Sequence, residues 1–133
     1  MIRITVDSPV TLDMLKSVYA NKLNATSRGA RYSMNKRKRD FSEAVRMTAK
    51  VDGTPPAGNA ILAVYALTLP RCDWDAPIKA LQDAIEPWIG CKNDRVIRYA
   101  WVFLVRPGRE TKKKPERKRQ VVVDLYNAAT EKE

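Results

Sequence analysis

Apolar and polar residues alternate from Ile2 to Val6, and Ser8-Pro9 closes the run. A period of two predicts a first strand with one face in a core. Between Thr11 and Lys22, the residues Leu12, Leu15, Val18 and Tyr19 recur at helical spacing behind Thr11, a candidate cap. That stretch reads as a short helix or as a collapsed loop. Asn24–Asn35 is small, polar and basic, and reads as a mobile loop. Asp40–Val51 then sets Phe41, Ala44, Val45, Met47 and Thr48 on one side of an amphipathic helix, which Asp52-Gly-Thr-Pro-Pro-Ala-Gly58 breaks.

The second half is more apolar. Asn59–Leu69 is hydrophobic on both faces, as a central strand is. Ala76–Trp88 places Ile78, Leu81, Ala84, Ile85 and Trp88 on one helical stripe, and Pro87 and Gly90 end it. Trp88 at this spacing reads as core. Asp94–Val105 reads as a long strand, and Arg109–Arg119 as a basic polar loop. Gln120–Tyr126 reads as a last strand. The final two strands are expected to form a hairpin with a long charged tip. The order β, loop, α, β, α, β, β predicts an α+β fold. It has two layers, a mixed sheet of about four strands with two main helices packed on it. Residues 1–126 form one domain, and residues 127–133 a short charged tail.

Composition narrows the class. With 133 residues, 44% of them hydrophobic, the chain suits a single domain with one core. No apolar run approaches the ~20 residues of a membrane span. The first residues lack the apolar block of a signal peptide. Cys72 and Cys91 lack CxxC spacing and read as free thiols of a cytoplasmic protein. Lys and Arg number 25 against 15 Asp and Glu, a net charge of +10. Such an excess points to a polyanionic partner, with nucleic acid the default. A membrane surface fits less well, because the basic residues fall in polar loops and not on a clear amphipathic helix. Candidate phosphate contacts are Arg28, Arg31, Lys36, Arg37, Lys38, Arg39, Arg71, Lys112, Lys113 and Lys114.

Candidate chemistry lies between Arg71 and Asp94. Asp73 and Asp75 follow an apolar strand and, two apart, project to the same side. Asp75 is placed to cap the following helix, with Pro77 in its first turn. Lys79, one turn past Asp75, is expected to lean back over the acids. Asp94 opens the next strand, and a strand–helix–strand unit is expected to return it to the first two. An Asp-x-Asp at a strand end is also a common turn and cap. As a site, however, three oxygen ligands in a chain without histidine suit Mg²⁺ or Mn²⁺ rather than Zn²⁺. A neighbouring lysine suits a phosphate.

The combination Cys72-Asp-Trp-Asp-Ala-Pro-Ile-Lys79, a helix, then Asn93-Asp-Arg-Val96 resembles the RusA-type Holliday junction resolvases. The resemblance runs from about Asp40 onward. That family has an Asp-x-Asp pair, a lysine four positions later, and a third aspartate before a valine-bearing strand. Asp73, Asp75, Lys79 and Asp94 match these positions, while Ala76 stands where the family usually has asparagine.

The resemblance implies a homodimeric, divalent-cation-dependent endodeoxyribonuclease that cuts two opposed strands of a four-way DNA junction. Many members are phage- or prophage-encoded, so the nucleoid or a host cytoplasm is the implied location. Asp73, Asp75 and Asp94 would hold Mg²⁺, and Lys79 would stabilise the transition state or orient the attacking water. A C2 dimer matches the two-fold symmetry of a junction. Tyr99, Trp101, Phe103 and Leu125 are candidates for its apolar interface. Two other readings compete: a basic nucleic-acid-binding protein without catalysis, and a nuclease for another branched or flap substrate.

Overall fold

The computed structural model describes residues 1–20, 28–56, 60–69, 77–89, 96–105 and 119–128. The elements in chain order are β1 (Ile2–Val6), α1 (Pro9–Ala20), α2 (Arg28–Thr48), β2 (Lys50–Gly53), β3 (Ile61–Thr68), α3 (Ile78–Ala84), a 3₁₀ turn (Glu86–Ile89), β4 (Ile97–Val105) and β5 (Gln120–Asn127). The α+β class expected from the pattern is observed, with five strands and three α-helices.

The strand order is β2-β1-β5-β3-β4. β5 is antiparallel to both β1 and β3, and β4 runs parallel to β3. The expected β4–β5 hairpin therefore does not form, because β3 lies between the two strands. β3 is central, as its two apolar faces suggested. Its odd positions Ile61, Ala63, Tyr65 and Leu67 are buried, and its even positions are half-buried.

One face of the sheet carries the core. Ile2, Ile4 and Val6 of β1, the odd positions of β3, and Val121, Val123 and Leu125 of β5 pack in one cluster. Leu12, Leu15 and Val18 of α1, Phe41 and Val45 of α2, and Leu81, Ala84 and Ile85 of the α3 region complete it. Fully burying side chains of this size stabilises a fold by about 1.5–3 kcal/mol each. Trp88 packs against the cluster, as its spacing predicted. Leu125 is fully buried here, which removes it from the candidate interface residues. The opposite sheet face presents Leu62, Val64 and Ala66 of β3, Val122 and Tyr126 of β5, and Tyr99, Trp101 and Phe103 of β4, which the registers align. None of these residues belongs to the core cluster.

The helices differ from expectation in instructive ways. Thr11–Lys22 contains a true helix, but Thr11 does not cap it. α1 starts at Pro9, whose missing N–H costs nothing at a first turn, and the Leu12 amide donates to the Ser8 carbonyl at 2.9 Å. Thr11 is buried, with its hydroxyl 3.0 Å from that of Thr48 on α2. Residues 28–35, read as loop, form the first turns of α2. Met34 is buried and continues the stripe of Phe41 and Val45 at spacings of seven and four. One apolar anchor in a polar stretch was too little to signal a helix. Lys50–Gly53, expected as the end of a helix and a break, instead pairs antiparallel with β1. There Gly53 has φ +101, and a Cβ would come 2.3 Å from the Met1 carbonyl oxygen. Glycine is required on both counts.

Candidate functional site

Asp73, Asp75, Asp94 and Arg71 all lie outside the described residues, as do Cys72, Cys91, Ala76, Lys112, Lys113 and Lys114. What the fold fixes is the frame that carries them. β3 ends at Thr68, and the next residue, Leu69, is buried; the chain is next described at Pro77, also buried. α3 begins at Ile78 with Pro77 at its N-cap position and no side-chain cap. The cap expected of Asp75 is thus taken by a residue two positions later.

Because β3 and β4 are parallel, the crossover through α3 returns the chain to the end of the sheet where β3 began. Ile61 pairs with Ile97 and Thr68 with Val105. Leu69 and Ile97 therefore stand at opposite ends of this strand pair, roughly 25 Å apart at the usual rise per residue. The three acids expected to meet lie in the stretches beyond these two strand ends, outside the described residues. Among the described residues, no three Asp, Glu or Cys side chains converge as a metal site would require.

Lys79 is the one member of the constellation whose side chain is described. It sits in the first turn of α3, about two-thirds exposed, with Nζ 3.8 Å from Asp83 Oδ1 one turn further on. The ammonium leans forward along the helix rather than back. An exposed pair of this length contributes a few tenths of a kcal/mol and is easily exchanged for another anion.

The basic residues are better defined. α2 is 21 residues long, about 31 Å. Lys36, Arg37, Lys38 and Arg39 all lie on it and are exposed. Arg28 and Arg31 also belong to α2, not to a loop. Four consecutive helical residues cannot share a face. At about 100° per residue, Lys36 and Arg39 point away from the buried line of Met34, Phe41 and Val45, whereas Arg37 and Lys38 lie nearer to it. Arg37 lines a cleft between α1 and α2 together with Asp13 and Asp40. Lys36 Nζ is 3.4 Å from Asp40 Oδ2, an exposed pair one turn apart. Tyr32, exposed over 68% of its surface, and Arg46 extend the outer line of Lys36 and Arg39 in both directions. Neither was singled out from the sequence. Once the helix is known to begin at Arg28, the spacings of four and seven give them away.

Two ion pairs fix neighbouring surfaces. Arg3 on β1 grips Asp124 on β5 with two bonds, Nε to Oδ1 at 2.8 Å and the second guanidinium nitrogen to Oδ2 at 2.9 Å. The hydrogen bond and the charge of Asp124 raise the Arg3 pKa above its ordinary value. Arg119, the residue before β5, donates to Asp13 on α1 at 2.9 Å. No described helix is long and apolar enough to cross a membrane.

Comparison with family models, with curated proteins and with solved structures finds no match for this chain.

Proposed function

We propose that this chain is a divalent-cation-dependent endodeoxyribonuclease acting on branched DNA, with a four-way junction as substrate and two copies of the chain as the working unit. The observation that carries the reading is the order Asp73-x-Asp75, Lys79, Asp94 along a β3–α3–β4 unit, with Lys79 exposed in the first turn of α3. The exposed basic line on α2 supports a nucleic-acid partner. An α-helix is about as wide as the B-DNA major groove, and its lysines and arginines can also track phosphates from outside.

The donor set fits the ion: three carboxylates and no histidine suit a hard cation such as Mg²⁺ or Mn²⁺. Such an ion supplies Lewis acidity at a phosphoryl oxygen and lowers the pKa of water. In the reaction, water adds to phosphorus and the 3′ oxygen leaves. Lys79, whose exposed ammonium stands 3.8 Å from Asp83, is suited to meet negative charge on the phosphoryl oxygens as it builds. Two opposed cuts call for two sites, which a homodimer provides.

A second reading, binding without cleavage, is favoured by one observation. The strand ends that flank the acidic stretches lie at opposite ends of β3 and β4 within a chain. One assay separates the two. The chain is incubated with four-way, three-way, flap and linear DNA, with Mg²⁺ and with chelator. The proposal expects Mg²⁺-dependent symmetric cutting of the four-way substrate. Tight binding with no cutting in Mg²⁺ or Mn²⁺ supports the second reading, and cutting of the flap alone transfers the activity to another substrate.

A further inference from the structure

The outward face of α2 carries an aromatic ring among cations. Tyr32 is 68% exposed and lies outside the core cluster. Tyrosine is a weaker helix former than lysine, arginine or alanine, so it gains α2 nothing at a position that adds nothing to the core. Among the described side chains, the other exposed aromatics, Tyr99, Trp101, Phe103 and Tyr126, all stand on strands.

Its neighbours on the helix set what the ring can meet. At about 100° per residue, Lys36 and Arg39 fall within about 40° of Tyr32, one and two turns further on. The next residue on this line is an exposed acid, Glu43, about 16 Å from Tyr32 along the axis. The first half of the line is thus purely cationic with a ring at its head, and the second half is mixed. A polyanion held by Lys36 and Arg39 runs past Tyr32. The pair of Lys36 with Asp40, exposed and 3.4 Å long, is easily exchanged for a phosphate. Lys36 and Tyr32 lie on adjacent turns, with Cβ atoms about 5–6 Å apart. A phosphate held by Lys36 therefore brings its nucleotide within reach of the ring.

What that nucleotide offers depends on the shape of the DNA. In a continuous duplex every base is stacked on both sides, and a side chain at the backbone finds only sugar and phosphate. Where strands exchange, a base can leave the stack and offer a π-face, on which aromatic side chains bind with little regard to sequence. We infer that Tyr32 stacks on an unstacked base at the branch point and so makes this chain prefer branched to linear DNA, while Lys36 and Arg39 hold the adjoining phosphates. This rests on the branched-DNA substrate proposed above, but not on the metal site or on cleavage. The ring does the stacking, so the hydroxyl is dispensable.

The test is binding of the full chain, in chelator, to a four-way junction and to a linear duplex of equal length, read by fluorescence anisotropy. Stacking on one base is worth roughly 5- to 150-fold in affinity by alanine substitution. Tyr32→Ala is therefore expected to weaken junction binding by at least about fivefold and duplex binding by less than about twofold. Tyr32→Phe is expected to match the wild type on both. So is Met47→Ala, which removes an exposed apolar side chain beyond Glu43. Alanine at an exposed helix position strengthens the helix, so Tyr32→Ala is expected to fold, with unchanged circular dichroism. As a direct readout, an iodouracil base at the branch point is expected to photo-crosslink to Tyr32, and the same base in mid-arm is not. Equal losses on junction and duplex, an unchanged junction affinity in Tyr32→Ala, a loss in Tyr32→Phe as large as in Tyr32→Ala, or a branch-point crosslink that misses Tyr32 overturns the proposal. So does a wild-type chain that binds duplex as tightly as junction. Cutting in Mg²⁺, assayed on the same preparations, tests the nuclease reading separately: its absence, with the effect of Tyr32→Ala on binding intact, overturns that reading alone.

Discussion

Replacing Lys36 and Arg39 by glutamine tests whether α2 presents one line of cations to DNA or a generally charged surface. Each phosphate contact on duplex DNA contributes about 0.9 to the slope of log affinity against log salt. If all four residues from Lys36 to Arg39 reached phosphates, neutralising them would lower the slope by about 3.6. The helix allows less. Lys36 and Arg39 point outward together, opposite Met34, Phe41 and Val45, while Arg37 lines the cleft beside Asp13 and Asp40. The double variant Lys36→Gln, Arg39→Gln should therefore lower the slope by about 1.8. At 0.1 M salt that corresponds to about 60-fold weaker binding. The pair Arg37→Gln, Lys38→Gln removes the same charge and should change the slope by less than about 0.9. Fluorescence anisotropy on a labelled junction between 50 and 200 mM salt measures both. Equal changes for the two pairs would falsify the oriented-helix argument, since charge alone would then explain the binding. An unchanged slope in both variants would remove α2 from the interface.

Gly53→Ala should cost about 1–3 kcal/mol, measured by urea unfolding, because the new Cβ meets the Met1 carbonyl and the residue is held at φ +101. A loss below 0.5 kcal/mol would show that β2 is not held against β1 as described. Asp75→Asn should abolish cleavage in Mg²⁺ while leaving junction binding intact or tighter, since it removes a negative ligand and a source of repulsion for phosphate. A gel shift and a cleavage assay on one preparation check this, and near-normal cutting would remove Asp75 from the metal set.

How much was legible in the sequence follows from how local each signal is. β3 was readable because Ile61–Leu69 is apolar at every position but Thr68, and only a central strand buries that much. The α3 stripe was readable because Leu81, Ala84 and Ile85 repeat within two turns. β2 was not readable. Lys50-Val-Asp-Gly53 has one apolar residue, and all four residues are exposed, so its strand conformation comes from pairing with β1 some fifty residues away. The position of β5 was hidden for a related reason. Val121-Val-Val123 suits any central strand, and adjacency in sequence suggested β4 as its neighbour. The Arg3–Asp124 grip joins β5 to β1 instead, and no local pattern announces a pair that far apart. The acids and Lys79 were legible as a spacing, because short motifs survive in sequence. Parallel pairing of the strands around them follows from the helical crossover through α3, and adjacency in sequence, which favours a β4–β5 hairpin, hides it.

That direction has a consequence for how substitutions at the two ends combine. Leu69 at the exit of β3 and Ile97 at the entry of β4 are separated by the full length of the strands and share no partner across that distance. Costs of changes so far apart add, whereas those of touching residues do not. Leu69→Ala and Ile97→Ala should therefore destabilise the chain by amounts that sum in the double variant to within about 0.5 kcal/mol. A larger coupling in urea unfolding would show that the two strand ends feel each other.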